Sequence, residues 1–177
     1  MRVISVTGMP GSGKEELVKI AIQEGMKVVR MGDVVRAWVK NRGIELTDAN
    51  VGRIANEERE KHGLGIWAER TVPLVKGEIV LIDGIRGESE LEAFKKAFGG
   101  ELTVIGVDAS PEIRYERIRK RKRKDTTVSW EAFSKRDSRE LGWGIGNAMV
   151  ACDHVIVNEG TLKEFQEEVR SLLESLR

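Results

Sequence analysis

Residues 2–17 read RVISVTGMPGSGKEEL. Val3, Ile4 and Val6 lie in a short β-branched run that stops at a glycine, the pattern of a strand buried in a sheet. Further on, Leu17, Val18, Ile20, Ala21 and Ile22 cover one broad face, which predicts a helix over 13–24 ending near Gly25. Between strand and helix lie Gly8, Met9, Pro10, Gly11, Ser12, Gly13 and Lys14. Glycines at this spacing let successive backbone N–H groups curl around an anion at the positive end of the helix dipole, and Lys14 adds a cation. These seven residues are read as a cradle for nucleotide phosphates. Glu15 stands where such loops carry Ser or Thr, whose hydroxyl reaches magnesium. Its carboxylate is either a magnesium ligand, or a charge that repels phosphate and sits solvated in the first helical turn; the second reading is preferred.

The chain has 177 residues, 40% of them hydrophobic and 33% charged, which suits a single globular domain over 1–177. A formal net charge of +1 gives no global drive toward nucleic acid or membrane. No apolar run is long enough to span a bilayer, and the amino-terminal residues lack the pattern of an export signal. With Cys152 as the single cysteine no internal disulfide forms, and a cytoplasmic protein is expected. His62 and His154 have no Cys or carboxylate at zinc-ligand spacing.

Four further runs read as strands: KVVRM (27–31), EIVLID (78–83), LTVIGVD (102–108) and DHVIVN (153–158). Helical segments separate them. One begins at Gly32-Asp33, one is capped by Thr47, and one opens at Pro111 and runs to about Lys124. A last helix follows Gly160-Thr161 with Leu162, Phe165, Val169, Leu172 and Leu173 apolar. Strands alternating with helices predict an α/β fold: a five-stranded parallel sheet with helices on both faces. In such sheets ligands bind beyond the carboxyl ends of the strands, where Gly8, Asp33, Asp83, Asp108 and Asn158 all fall.

The loop GMPGSGK, with proline third and serine fifth, resembles that of adenylate kinases and related nucleoside monophosphate kinases. In many of those the residue after the lysine is glycine and magnesium is held largely through water. GDVVRAWV (32–39) resembles the start of that family's acceptor-binding segment, and VLIDGIRG (80–87) its DG-x-x-R segment, one residue shorter here. VDASPEIRYERIRKR (107–121) and ACDHVIVNEGTLKEFQEEV (151–169) look more like dephospho-coenzyme A kinase. The chain is thus similar to a kinase-like branch of archaeal P-loop NTPases related to both families.

That resemblance implies ATP and Mg²⁺ as cofactors and transfer of the γ-phosphate to a small nucleotide-like acceptor, a nucleoside monophosphate or dephospho-coenzyme A. Lys14 and Arg136 would act on the phosphates, and Asp83 would hold magnesium through water. Arg36 and Arg86 would bind the acceptor. Asp33 would contact an acceptor hydroxyl and serve as its base in the dephospho-coenzyme A case. Arg117 and Arg121, one helical turn apart, would face the ATP phosphates or stack on adenine, with Asn158 at the adenine edge. Residues 33–76 would form the acceptor-binding segment, lined in part by Trp67, and 122–142 a lid carrying Arg136 and Arg139.

Two other functions compete. A non-kinase ATPase switch acting through a protein or RNA partner would accommodate Glu15 and the shortened Asp83–Arg86 spacing. The basic run 117–124, seven cationic residues in eight, is the one candidate nucleic-acid surface. Glu112 and Glu116 precede it and aromatic residues are sparse, so a phosphate-facing helix with a solvated flank accounts for it better.

Overall fold

The computed structural model describes residues 1–120 and 129–177. The chain runs β1 (Arg2–Thr7), α1 (Lys14–Gln23), β2 (Lys27–Arg30), α2 (Met31–Asn41), α3 (Asp48–His62) and α4 (Ile66–Thr71). It continues β3 (Ile79–Ile85), α5 (Glu88–Phe98), β4 (Leu102–Asp108), α6 (Pro111–Lys120), α7 (Trp130–Gly142), α8 (Ile145–Val150), β5 (His154–Val157) and α9 (Leu162–Ser175). Among the described residues the strands form one five-stranded sheet in the order β2-β3-β1-β4-β5, and every pairing is parallel.

Both faces of the sheet are covered, so the strands carry apolar side chains on both sides. Val80 and Ile82 of β3 join Val35, Trp67, Leu91 and Phe94 on one face. Leu81, between them, joins Leu17, Ile20, Phe165 and Val169 on the other. The two-residue strand period thus divides one apolar run between two cores. Each such buried aliphatic side chain stabilises the fold by about 1.5–3 kcal/mol.

The strand expected to end at Asp83 continues to Ile85. Val6 pairs with Asp83 and Thr7 with Ile85, so Gly84 is an extra residue, a bulge, at the end of β3. Its φ of +111° is one that side-chain-bearing residues rarely adopt. Thr7 Oγ1 donates to the Ile85 carbonyl at 3.1 Å and fixes the bulge from the neighbouring strand. Bulges of this kind re-aim the side chains around them, here Asp83 and Arg86.

Helices α2 to α4 occupy the segment expected to bind an acceptor. A buried carboxylate ties them together: Glu58 of α3 pairs with Arg42 at 2.9 Å and Arg70 at 2.5 Å. Arg70 lies 3.6 Å above the Trp38 ring of α2. Trp67 is fully buried and donates from Nε1 to the Ala55 carbonyl at 3.1 Å. It is a core residue, so the expectation that it lines an acceptor pocket is corrected. Thr47 caps α3 as expected, accepting from the Asn50 N–H, and Thr161 with Glu164 closes a reciprocal capping box on α9. Among the described residues no helix is long and apolar enough to cross a membrane.

Phe94 of α5 is fully buried in the core on one face of the sheet. Phe94→Ala is expected to lower unfolding free energy by about 3–5 kcal/mol, read from the urea midpoint at unchanged m-value.

Candidate phosphate and phosphoryl-transfer site

The loop between β1 and α1 is held from behind. Gly13 enters α1 with φ +118°, and a Cβ there would collide with the Asn158 amide. Asn158 is buried, and its Nδ2 donates to the Ser12 carbonyl at 2.7 Å. Arg117 donates to the same carbonyl at 3.3 Å and to Asn158 Oδ1 at 3.1 Å. Both ends of the Asn158 amide therefore help to brace the loop. Arg114, also buried, donates to the Pro10 carbonyl at 3.2 Å and to the Ala109 carbonyl at 3.0 Å. The same guanidinium makes a two-pronged pair with Asp137 of α7, one bond of 2.9 Å to Oδ1 and a second to Oδ2.

Lys14 donates from Nζ to the Gly8 carbonyl and, at 3.1 Å, to that of Met9. Burial pushes its ammonium down to about 8, against the opposing fields of Asp83 and Glu140; Arg86 and Arg136 add to the lowering. Asp83 at the end of β3 is raised by burial, with Lys14 and Arg30 pulling it back. The structure thus brings Lys14, Asp83, Arg86 and Arg136 into one electrostatic cluster. It adds Glu140 of α7, a buried carboxylate 3.8 Å from Arg86 and 4.0 Å from Arg136. Glu90 of α5 fixes the turn below: its Oε2 accepts the Arg86 N–H at 2.7 Å and its Oε1 accepts from Arg59 at 3.3 Å. Arg59, Arg86 and Arg139 all lie within 5.4–5.8 Å of the Trp143 ring centre.

Arg114, Asp137 and Glu140 were not anticipated. The signal for the last two was two carboxylates three apart, hence on one face, in the otherwise basic stretch SKRDSREL. They fasten α7, the second half of the expected lid, to α6 on one side and to the β3–α5 turn on the other. Residues 122–128 of that lid, and Arg121, lie outside the described residues, as does all but 117–120 of the basic run.

Glu15 is engaged. Arg30, the last residue of β2, donates from Nη1 to Glu15 Oε2 at 3.3 Å and from Nη2 to Oε1 at 3.2 Å. Burial works against the charge on Arg30; the Glu15 hydrogen bonds and the fields of Glu15, Asp83 and Asp33 outweigh it and leave the guanidinium above its ordinary value. Asp33 and Arg36 pair with one another on the exposed face of α2. A cleft of about 420 Å³ opens on the other side of the loop, between Gly13, Arg117, Lys120, Asn158, Leu162 and Phe165. It lies where the adenine edge was expected, with Phe165 and Leu162 supplying its apolar wall.

Among the described residues no three acidic, histidine or cysteine side chains gather into a metal cage. Asp83, close to Lys14, is a carboxylate that could hold a metal. One carboxylate beside a phosphate cradle suits an ion that keeps most of its waters and takes its other oxygens from phosphate, as magnesium does.

Sheet order, loop and the carboxylate closing β3 define a P-loop NTPase of kinase-like fold. A shikimate kinase from Bacteroides thetaiotaomicron superposes with a TM-score of 0.63 at 13% identity, covering 99% of this chain and 98% of that one, a likeness of fold. Residues 4–142 match the family described as an AAA domain. A UPF0200 protein of Hyperthermus butylicus is 44% identical over 177 residues, covering 98% of this chain and 94% of that protein. A UPF0200/UPF0201 protein of Archaeoglobus fulgidus is 42% identical over 98% of this chain, which spans only 55% of that relative's length. The chain belongs to the AAA-domain family and to the UPF0200 proteins, a group of archaeal P-loop proteins.

A phosphate bound in this loop would favour the charged form of Lys14. ADP affinity should therefore hold below pH 8 and weaken by about tenfold per unit as pH rises beyond it, because the bound phosphate must draw in a proton. Calorimetric titrations of wild type and Lys14→Met across that range check this; the variant should lose the slope.

Proposed function

We propose that the chain is an ATP-dependent phosphotransferase whose acceptor is a small nucleotide-like molecule. The observation that carries this reading is the cluster of Lys14, Asp83, Arg86 and Arg136 around the mouth of the phosphate loop. A hydrolytic switch needs a cradle and a positioned water; two further arginines facing the lysine from the β3–α5 turn and from α7 suit a transferring phosphoryl group with an anionic acceptor. The kinase fold of the structural neighbour supports the same class.

In this reading the loop N–H groups and Lys14 hold the β- and γ-phosphates. Arg136 stands against the γ-phosphoryl oxygens, where charge is redistributed during transfer. Arg86, its backbone fixed by Glu90 and its side chain drawn toward Glu140, holds the acceptor in line. Arg36 and Asp33, paired on α2, meet the far end of the acceptor. Magnesium, held by the phosphates and through water by Asp83, would supply charge neutralisation between the phosphates. The adenine lies in the cleft beside Phe165. Transfer to a phosphate acceptor needs no base; transfer to the hydroxyl of dephospho-coenzyme A would use Asp33.

Labelled ATP offered with a panel of nucleoside monophosphates and dephospho-coenzyme A is expected to label one member. Lys14→Ala should lower that turnover at least about a hundredfold, the scale of losing one preorganised donor to the transferring group. Labelled inorganic phosphate as the sole product, with every acceptor, would replace the kinase reading by the hydrolytic one.

A further inference from the structure

Glu15 poses a physical problem. It follows Lys14 directly, at the position whose side chain in such loops carries a hydroxyl toward metal and phosphate. An uncompensated carboxylate there repels the nucleotide. Arg30 answers it from β2. In the sheet Arg30 is the cross-strand partner of Asp83, so its backbone is fixed beside the carboxylate that closes β3. From there its side chain reaches Glu15 and binds both carboxylate oxygens, at 3.2 and 3.3 Å. The guanidinium therefore reaches from the strand position beside Asp83 to residue 15, next to Lys14. Of its five N–H donors about two are used on Glu15, leaving about three in a fixed plane. The pair is about half exposed at Glu15 and a third exposed at Arg30, open to a ligand on one side.

We propose that Arg30 is a phosphate-contacting residue of this site and that Glu15 is the positioning residue that holds it there. This rests on the nucleotide-binding half of the reading above and is independent of the acceptor. A cation built into the protein takes over part of the charge neutralisation that other phosphate loops obtain from magnesium through a hydroxyl. Both oxygens of Glu15 accept from Arg30, so in this proposal the carboxylate orients Arg30 rather than serving the metal. Nucleotide binding should consequently keep a large component that needs no divalent ion, and that component should depend on the pair.

Calorimetric titration with ATP, in excess magnesium and in excess EDTA, tests this. Arg30→Met is expected to weaken binding in EDTA by about tenfold, the value of one charge-assisted contact, and by less in magnesium. Arg30→Lys, which keeps the charge but not the two-pronged hold, should fall between. Glu15→Gln should weaken EDTA binding in the wild-type background and cause no further loss beside Arg30→Met, the coupling expected of a residue acting through its partner. Mn²⁺ affinity of the ATP complex, read by electron paramagnetic resonance, should be unchanged in Glu15→Gln. Loss of Mn²⁺ affinity in that variant makes Glu15 a metal ligand and overturns the proposal. So does tighter ATP binding by Glu15→Gln with Arg30 present, or no effect of either arginine variant. A chain that binds no ATP in either buffer overturns the nucleotide reading itself, an outcome distinct from these.

Discussion

A phosphate loop works only if its N–H groups face inward, and that requires its carbonyls to be satisfied elsewhere. In this protein the outward carbonyls of Pro10 and Ser12 are taken by Arg114, Arg117 and Asn158. Buried carbonyls without such partners would cost free energy or turn inward, where they repel phosphate. The donors come from α6 and from the residue just after β5, so the loop's shape depends on the far half of the sheet being assembled. Arg114 carries this one step further. Its second face binds Asp137, so the helix presenting Arg136 and Glu140 is referenced to the same guanidinium that shapes the cradle.

The charges around that cradle alternate in sign. Lys14, Arg30, Arg86 and Arg136 are interleaved with Asp83, Glu15 and Glu140, and no carboxylate of the set is left without a cation near it. Such an array keeps four cations close together while phosphates come and go. Its cost falls on Lys14, whose ammonium is desolvated enough to titrate near pH 8. A desolvated cation interacts strongly with an incoming phosphate for the same reason that it is unstable alone. The acids are therefore part of the phosphate site even where they touch no ligand, and Glu140 and Glu90 govern where Arg86 stands.

Helix α7 changes how the second half of the molecule is seen. A segment rich in charge and glycine after a basic helix suggests a loose cover. Asp137, half-buried, and Glu140, buried, instead dock it on two sides. Trp143 extends that contact by packing among Arg59 of α3, Arg86 of the β3–α5 turn and Arg139 of α7. Arg59 belongs to α3, and its pair with Glu90 ties the helical segment after β2 to the β3–α5 turn.

The strands, their parallel pairing and the phosphate loop were legible in the residues because each is written locally. Apolar β-branched runs bounded by glycine specify buried strands, and a glycine-rich turn ending in lysine before an amphipathic helix has few other uses. Lys14, Asp83, Arg86 and Arg136 are picked out by motif and family pattern, and the structure brings their charges close enough to act on Lys14. What the sequence could not decide is where an amide or a carboxylate spends its hydrogen bonds. Asn158, expected at the adenine edge, lines the cleft there and also braces Ser12, 146 positions away. Trp67 was read as lining a pocket and is core. Glu15 was left between metal, repulsion and solvent, and Arg30, a strand-end arginine with no motif around it, settles its contacts across the sheet. Pairings of this kind depend on the order β2-β3-β1-β4-β5, which sets which strand ends are neighbours. A side chain's chemistry is local, but its partner is chosen by topology.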